Sequence, residues 1–344
     1  MEKLLNWYDG GNRELPWRGA KDPYKIWISE IMLQQTRAET VIGYYNAFID
    51  EWPDVHALAA ADLNSVLKRW EGLGYYSRVR HLHACARSVV NDYQGVFPET
   101  AAGLRQLPGI GDYTSAMIAS IAYDEPAPAI DGNQIRVLSR LFHMDKPARS
   151  REGMTALRVH AEGILDRDRP GDFNQALMDL GRLMCKPKSV NCDECPLRSA
   201  CESAKLGDAL SLPILPLRQK QRIERQGVAV VVCEGKVLIT KQPDSGILRG
   251  LSVLPHYIDA HNMEAVAEIL AEIGIDAQPT GDICQYNHVF THLIWQQVGY
   301  GFRAKATIDV PNCRWVDEEK LLALTIPAAH WAFRDMAIQM IDKY

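Results

Sequence analysis

Four cysteines, Cys185, Cys192, Cys195 and Cys201, follow one another as C-x6-C-x2-C-x5-C, directly after a helix-patterned stretch from Phe173 to Met184. Four thiolates in so short a run can converge on one metal centre, which makes the segment a folded knuckle and limits how the preceding helix can pack. Such a set permits tetrahedral zinc or an iron–sulfur cube. A zinc ribbon calls for two CxxC knuckles, and this stretch has one, so an iron–sulfur site is the better fit. The remaining cysteines, Cys85, Cys233, Cys284 and Cys313, are scattered and read as small buried hydrophobes in a reducing compartment.

At 344 residues the chain has room for two domains with separate cores. A net charge of −5 offers no global attraction to a polyanion, so any nucleic-acid face must be local. No apolar run is long enough to span a bilayer, and Glu2, Asp9 and Glu14 argue against an acid-poor transit peptide. A cytoplasmic protein with no membrane contact is expected.

The hydrophobic period changes near residue 210. From Trp27 to Met184 apolar residues recur at three- and four-residue intervals, as in Ile31, Leu33, Val41 and Tyr45, or Leu177, Leu180 and Met184. Pro213, Pro216 and the polar run from Arg218 to Gln226 then read as a linker. Beyond it Val228, Val230 and Val232 alternate into Glu234-Gly235, with Val237 and Ile239 continuing, which predicts a hairpin. A helix over Met263 to Ile273, a strand pair from Tyr286 to Phe302 and a closing helix from Pro327 to Tyr344 follow. The expected architecture is an all-α domain over 1–210 holding the cysteine loop 185–201, a linker over 211–226, and an α+β domain over 227–344.

Two further motifs carry chemistry. Leu107-Pro108-Gly109-Ile110-Gly111 is a tight turn that feeds a helix opening at Asp112. Backbone N–H groups at such a helix start face outward and suit a phosphate, and the glycines would let an anion approach closely. An ordinary helix–turn–helix corner is the plain alternative. About twenty residues on, Asp131 precedes an amphipathic helix over Val137 to Phe142 and is most simply its N-cap. Capping also orients a carboxylate, so a chemical role is compatible with it.

LPGIG, then Asp131, then the cysteine loop resembles the helix-hairpin-helix base-excision glycosylases that carry a [4Fe-4S] cluster. In bifunctional members, such as endonuclease III, a lysine stands two residues after the second hairpin glycine and forms a Schiff base. Here that position is Tyr113, and a phenol cannot form an imine. Leu15-Pro16-Trp17-Arg18, the run Ile28 to Thr36 and Gly72-Leu73-Gly74-Tyr75-Tyr76 closely resemble the adenine-DNA glycosylases, the MutY family. That resemblance covers essentially the whole chain and implies a monofunctional enzyme.

The resemblance implies roles residue by residue. Glu30 matches the general acid toward adenine N7, and its apolar neighbours Trp27, Ile31 and Leu33 would raise its pKa by burial. A surface glutamate paired one turn away is the alternative. Asp131 matches the residue that stabilises the sugar cation, Tyr113 one that hydrogen-bonds to it, and Asn133 one that positions water or sugar. Trp17 and Arg18 correspond to positions around the extruded adenine and Gln175 to one that can read its amino edge, while Leu33 and Gln34 are expected to contact substrate or DNA. Gln35 and Tyr75 correspond to wedge residues beside 8-oxoguanine. Leu107, Gly109 and Gly111 would meet the phosphates, as would a basic stripe of Arg78, Arg80, His81, His83 and Arg87, with Lys186 and Lys188. The implied substrate is double-stranded DNA with an A:8-oxoguanine or A:G mispair, bound by a monomer.

The C-terminal domain implied by the resemblance is Nudix-like. A Nudix hydrolase needs a box with Arg-Glu and Glu-Glu pairs, but Gly246 to Gly274 offers only Glu264, Glu268 and Glu272 on one helix. The domain is therefore expected to read DNA rather than hydrolyse nucleotides. The family reads 8-oxoguanine from a Phe-Ser-His loop, here Phe290-Thr291-His292, whose extra methyl group would retune the preference. Two other readings stay open on the sequence: an endonuclease III-like lyase on oxidised pyrimidines, opposed by Tyr113, and a non-enzymatic iron–sulfur DNA sensor, opposed by the retention of both Glu30 and Asp131.

Overall fold

Side-chain caps set six of the helix starts in the N-terminal part of the chain. Asp22, Asp54, Asp62, Thr100, Asp131 and Ser150 each accept a backbone N–H from the first turn that follows. The computed structural model describes residues 1–11, 15–216 and 220–344; Glu14 and linker residues 217–219 lie outside them. The helices are α1 (Glu2–Asp9), α2 (Pro23–Leu33), α3 (Ala38–Glu51), α4 (Val55–Ala60), α5 (Leu63–Arg69), α6 (Ser77–Tyr93), α7 (Ala101–Leu104), α8 (Asp112–Ala122), α9 (Gly132–Leu141), α10 (Arg151–Ile164), α11 (Pro170–Leu183) and α12 (Glu202–Leu206).

Packing divides the chain into two units, Met1–Ala61 with Ser77–Leu217, and Asp62–Tyr76 with Arg218–Tyr344. The first is helical. Leu4, Leu138, Leu141, Phe173, Leu177 and Leu180 from α1, α9 and α11 share one buried cluster, and Cys185, Cys195 and Cys201 pack against it. Truncating Leu138 or Leu177 to alanine costs about 2–5 kcal/mol at sites of this kind. The cysteine loop is thus seated on the same core that holds α9 and α11.

The second unit is a mixed sheet between helices. Its strands are β1 (Arg222–Cys233), β2 (Lys236–Lys241), β3 (Ser252–Val253), β4 (His256–Ile258), β5 (Ala277–Val289), β6 (Leu293–Ala304) and β7 (Cys313–Asp317). The order is β3-β2-β1-β6-β5, with β4 on β1 and β7 on β2. β1 and β6 run parallel, from Arg222 opposite Leu293 to Val232 opposite Arg303. Strand alternation sends Val228, Val230 and Val232 toward α15 (Trp331–Lys343), and Ala229 and Val231 toward α13 (Met263–Glu272). A short helix, α14 (Glu318–Ala323), lies between β7 and α15 in the chain. Glu234 and Gly235 both have positive φ, 48° and 71°, as a two-residue type I′ hairpin requires.

Two boundaries differ from expectation. Residues 62–76, expected in the helical domain, cluster with the C-terminal residues: Lys68 Nζ donates to Leu324 O at 3.0 Å, and Glu71 Oε1 accepts from Ile326 N at 2.9 Å. The linker is shorter than 211–226. Ala148 N donates to Ile214 O, which holds residue 214 on the first unit, and residues 222–226 are already strand. Polar residues misled there because β1 has exposed positions at its start. Cys85 and Cys233 are buried as expected, whereas Cys284 and Cys313 are only half-buried.

Candidate active site

α2 carries apolar residues around its whole circumference, the signature of a helix with no solvent face. Every residue from Ile26 to Met32 is buried, so Glu30 is carried into the interior at 5 % exposure. Burial lifts its carboxyl to about 7, against the pull of the nearby Tyr113 hydroxyl and of the Arg18 charge. α8 packs against α2, buries the small residues Ser115, Ala116 and Ala119, and supplies Tyr113 near its start.

Asp131 is the N-cap of α9. Its Oδ1 accepts from Gln134 N at 2.7 Å and its Oδ2 from Asn133 Nδ2 at 2.8 Å. Burial pushes this carboxyl up, and those two donors with the nearby Arg136 hold it down. Asn133 Oδ1 in turn accepts from Arg136 Nη2 at 2.9 Å, and Arg136 Nε donates to Cys185 O at 2.7 Å. α11 approaches α9 closely enough here that a Cβ on Gly181 would stand 2.8 Å from that of Asn133.

α11 contributes a stripe at helical spacing: Gln175, Met178, Asp179 and Arg182. Arg18 donates to the carboxamide of Gln175, to Asp179 Oδ2 at 2.9 Å and to Tyr8 Oη at 3.0 Å, in a pair that is largely buried. Trp17 packs edge-on against Tyr45 with ring centroids 5.3 Å apart.

Glu30, Tyr113, Asp131 and Asn133 line one cavity of about 440 Å³, together with Trp17, Arg18, Leu33, Gln34 and Gln35. Gln175 adjoins it through Arg18. No lysine stands among the described residues of that lining. Met178, Asp179, Arg182 and Arg37 also line it, and the sequence reading missed them. The α11 stripe starting from Gln175 was the available signal for three of the four. The hydrogen bond expected between Tyr113 and Asp131 is not the one formed: the phenol donates to Met178 Sδ at 3.3 Å. Asp131 instead takes Gln134 N and Asn133 Nδ2 as its donors.

The hairpin turn is built as read, but its details differ. Gly109 has φ of 76°, and a Cβ there would stand 2.5 Å from the His81 side chain. That glycine answers to backbone conformation and to His81. Leu107 is buried and anchors the turn, so it is not itself available to a phosphate. Asp112, in the first turn of α8, pairs with Arg105 at 3.1 Å and Arg158 at 2.5 Å.

The basic stripe is not uniform. His83 is buried, with Nε2 2.9 Å from Ala61 O, and Arg78 donates to the carbonyls of Ile31, Met32 and Gln34. Arg78 therefore caps the C-terminus of α2 and holds the helix that carries Glu30. His81 and Arg87 remain exposed.

Cys185, Cys192, Cys195 and Cys201 line one apolar cavity with Arg140. Burial raises the thiols of Cys192, Cys195 and Cys201, that of Cys195 to about 11, so a bound cation would be needed to draw them into thiolates. The buried Arg140 guanidinium donates to Cys185 Sγ at 3.1 Å, and to the carbonyls of Lys186 and Leu212. A cation aimed at a cysteine sulfur fits a site that carries negative charge when loaded. Among the described residues no group of three His, Cys, Asp or Glu is placed to hold a single ion. Four cysteines around one cavity supply a donor set that fits an iron–sulfur cluster, which takes four thiolates.

Residues 28–160 match the HhH-GPD superfamily base excision DNA repair protein family, and residues 227–335 match the NUDIX domain family. The adenine DNA glycosylase of Mus musculus is 34% identical over 95% of this chain and 75% of its own length. The chain belongs to the adenine DNA glycosylase family. The adenine DNA glycosylase of Buchnera aphidicola subsp. Baizongia pistaciae is 35% identical over 75% of this chain and 73% of its own. Among solved structures, a thermostable thymine-DNA glycosylase superposes with a TM-score of 0.55 at 29% identity, over 60% of this chain and 94% of that one.

In the C-terminal unit of this adenine DNA glycosylase family member, Phe290, Thr291 and His292 form the turn between β5 and β6, closed by Phe290 N to Leu293 O at 2.8 Å. The Phe290 ring packs edge-on against His288 and Trp295, at 4.6 and 4.9 Å, while Thr291 and His292 stand exposed at the tip. Tyr75 is exposed and, like Gln35, holds a positive φ, 48° and 60°. Such φ values are strained for side chains of this size and cluster at working positions. Glu264, Glu268 and Glu272 lie exposed along α13. Among the described residues no helix is long and apolar enough to cross a membrane.

Proposed function

We propose that this chain is a monofunctional DNA glycosylase that removes adenine from duplex DNA, with adenine opposite 8-oxoguanine as its preferred substrate. The observation that carries this reading is the sharing of one cavity by a buried and a half-buried carboxyl group in unlike surroundings. Glu30 is desolvated and titrates near 7, whereas Asp131 is held by backbone and amide donors. Adenine leaves only when a ring nitrogen is protonated, and the sugar left behind develops positive charge. A neutral carboxyl and an ionised one divide that work.

The target base must leave the stack to reach such a pocket. Trp17, Arg18 and Gln175 would receive it, and the Arg18–Asp179 pair fixes the guanidinium in place beforehand. Glu30 then gives its proton to N7, the C1′–N9 bond breaks, and the Asp131 carboxylate steadies the cation at C1′. Water completes the sugar, with Asn133, itself held by Arg136, as its positioning group. The described residues of the pocket lining include no lysine amine, so this reading has no Schiff base and leaves the abasic strand intact.

Gln35 and Tyr75 serve as wedges at the lesion, and the β5–β6 turn reads it through Thr291. The four cysteines would hold a [4Fe-4S] cluster, which supplies structural cross-linking of the loop that lies against α9 and α11. The protein acts as a monomer on DNA, in the compartment where its thiols stay reduced.

Single-turnover cleavage of a labelled duplex tests the reading, with adenine opposite 8-oxoguanine, adenine opposite guanine, and thymine glycol run in parallel. Strand breakage at the adenine only after hot alkali is expected. Breakage without alkali, or only at thymine glycol, would overturn it.

A further inference from the structure

The chain leaves α2 through a tight turn, Leu33 to Thr36, closed by Thr36 N donating to Leu33 O at 3.3 Å. Gln34 has φ of −59° and ψ of 113°, and Gln35 has φ of 60°. Those angles match a type II turn, whose third position is left-handed and is normally taken by glycine or asparagine. A type I turn would suit glutamine better, because it asks only for a negative φ there. The two types differ by a flip of one peptide plane, the plane between residues 34 and 35 that carries Gln34 O. Gln35 is exposed, so burial of its own side chain does not hold the strained form.

Arg78, in the first turn of α6, grips that plane. Its guanidinium donates to Gln34 O, to Ile31 O at 2.8 Å and to Met32 O at 3.1 Å, and Thr36 Oγ1 stands 3.5 Å away. The Thr36 hydroxyl adds a longer bond to the same Gln34 O, at 3.4 Å. One planar cation thus meets both the last carbonyls of α2 and the flipped peptide beyond them.

We propose that Arg78 is a positioning residue for base extrusion: it keeps the Gln34–Gln35 peptide flipped and so presents the Gln35 side chain to the duplex already set. The proposal rests on the reading of Gln35 as a wedge. The grip on Ile31 and Met32 supports the helix of Glu30, whereas the hold on Gln34 O sets Gln35. Because the strain is carried in the free protein, the wedge does not have to be ordered while the base leaves the stack. Lysine would keep the charge but not the fork, and a single ammonium cannot serve the helix end and the flipped peptide together.

The test measures extrusion apart from chemistry, in the full-length protein. In a Glu30→Gln background, 2-aminopurine replaces the target adenine opposite 8-oxoguanine, and its fluorescence reports unstacking. Arg78→Lys should lower the extrusion equilibrium by about 5- to 20-fold, the weight of one strained residue released. Thr36→Pro leaves Arg78 in place, removes the closing N–H and drives Gln35 toward extended backbone, and should give a loss of the same order. In a Gln35→Asn background, where the residue accepts the left-handed region by itself, Arg78→Lys should change extrusion by less than about twofold. Extrusion in Arg78→Lys equal to the parent's, or lost equally with glutamine and asparagine at 35, would overturn the proposal. Gln35→Gly tells this failure from that of the wedge reading. Loss in Gln35→Gly with none in Arg78→Lys removes the role of Arg78 alone. No loss in Gln35→Gly removes the wedge reading and the proposal with it.

Discussion

The hydroxyl of Tyr75 lies 2.8 Å from Oγ1 of Thr291. The two residues are 216 positions apart, and each was expected beside the lesion on its own account. Their contact is possible because residues 62–76 pack with the C-terminal residues. A threonine hydroxyl tied to a tyrosine has one fewer lone pair or proton for a base, so under the proposed lesion reading both partners would matter. Thr291→Ala and Tyr75→Phe should each lower the preference for 8-oxoguanine over guanine, by about 3- to 10-fold, the weight of one neutral hydrogen bond. The double variant should lose no more than the stronger single one, because both remove the same bond. Excision rates opposite the two purines, measured as a double-mutant cycle, check this; additive losses would show that the two act separately.

Catalysis by a neutral Glu30 has a definite pH signature. Its carboxyl sits near 7, so the reactive form is full below that value and falls about tenfold per pH unit above it. Glu30→Gln keeps the shape but has no proton to give, and should cut single-turnover excision by at least about a thousandfold while leaving duplex binding intact. Asp131→Asn should do likewise, for loss of the anion. A near-native rate in either variant would refute the division of roles.

Arg140 offers a way to test the cysteine loop without touching its ligands. Its guanidinium is buried, it donates to Cys185 Sγ and two carbonyls, and no carboxylate among the described residues pairs with it. Arg140→Met should remove a buried cation that anionic cluster thiolates would otherwise balance. The variant should carry less iron and sulfide per chain and bleach faster under chelator, with its visible charge-transfer absorbance lowered in proportion. Cys192→Ser gives the limiting loss for comparison. Equal iron content and equal chelator resistance in Arg140→Met would show that Arg140 serves only the backbone.

Legibility in the sequence followed how local each signal was. Glu30 was readable because its helix is apolar on every side, which predicts burial without any knowledge of the partner elements. The Glu234-Gly235 hairpin and the N-cap at Asp131 were readable for the same reason, as features of a few consecutive residues. What escaped was set by packing between distant segments. Arg78 looked like a free cation among others on α6, yet it spends its donors on the end of α2. Nothing in the sequence marked Met178 on α11, and only the tertiary fold brings its sulfur to Tyr113. The grouping of 62–76 with the C-terminal unit has no local signature, because Lys68 and Glu71 bond to backbone more than 250 positions away.

Three histidines beneath the β5–β6 turn set the acid limit of the C-terminal unit. His330 is 0 % exposed, and neither of its ring nitrogens has a partner among the described residues. Burial, with His256 and His288 close by, pushes its pKa well below the usual histidine value, and burial lowers those of His256 and His288 as well. Only Glu224 and the Leu254 carbonyl pull the other way, on His256. A base whose folded pKa is depressed keeps the fold intact while neutral. The stability it contributes is therefore present above about pH 6.5 and is lost as pH falls below it, by up to about 1.4 kcal/mol per unit for each histidine. Phe290 rests on His288 and on Trp295, and Trp295 in turn contacts His256 and His330, so the turn should loosen first. Hydrogen exchange over residues 286–295 should accelerate between pH 6.5 and 5 while peptides of α2 and α8 stay protected. His330→Phe keeps the ring and removes the proton site, and should flatten that pH dependence. Exchange in the variant that still accelerates as in the parent would place the acid sensitivity elsewhere than in this histidine.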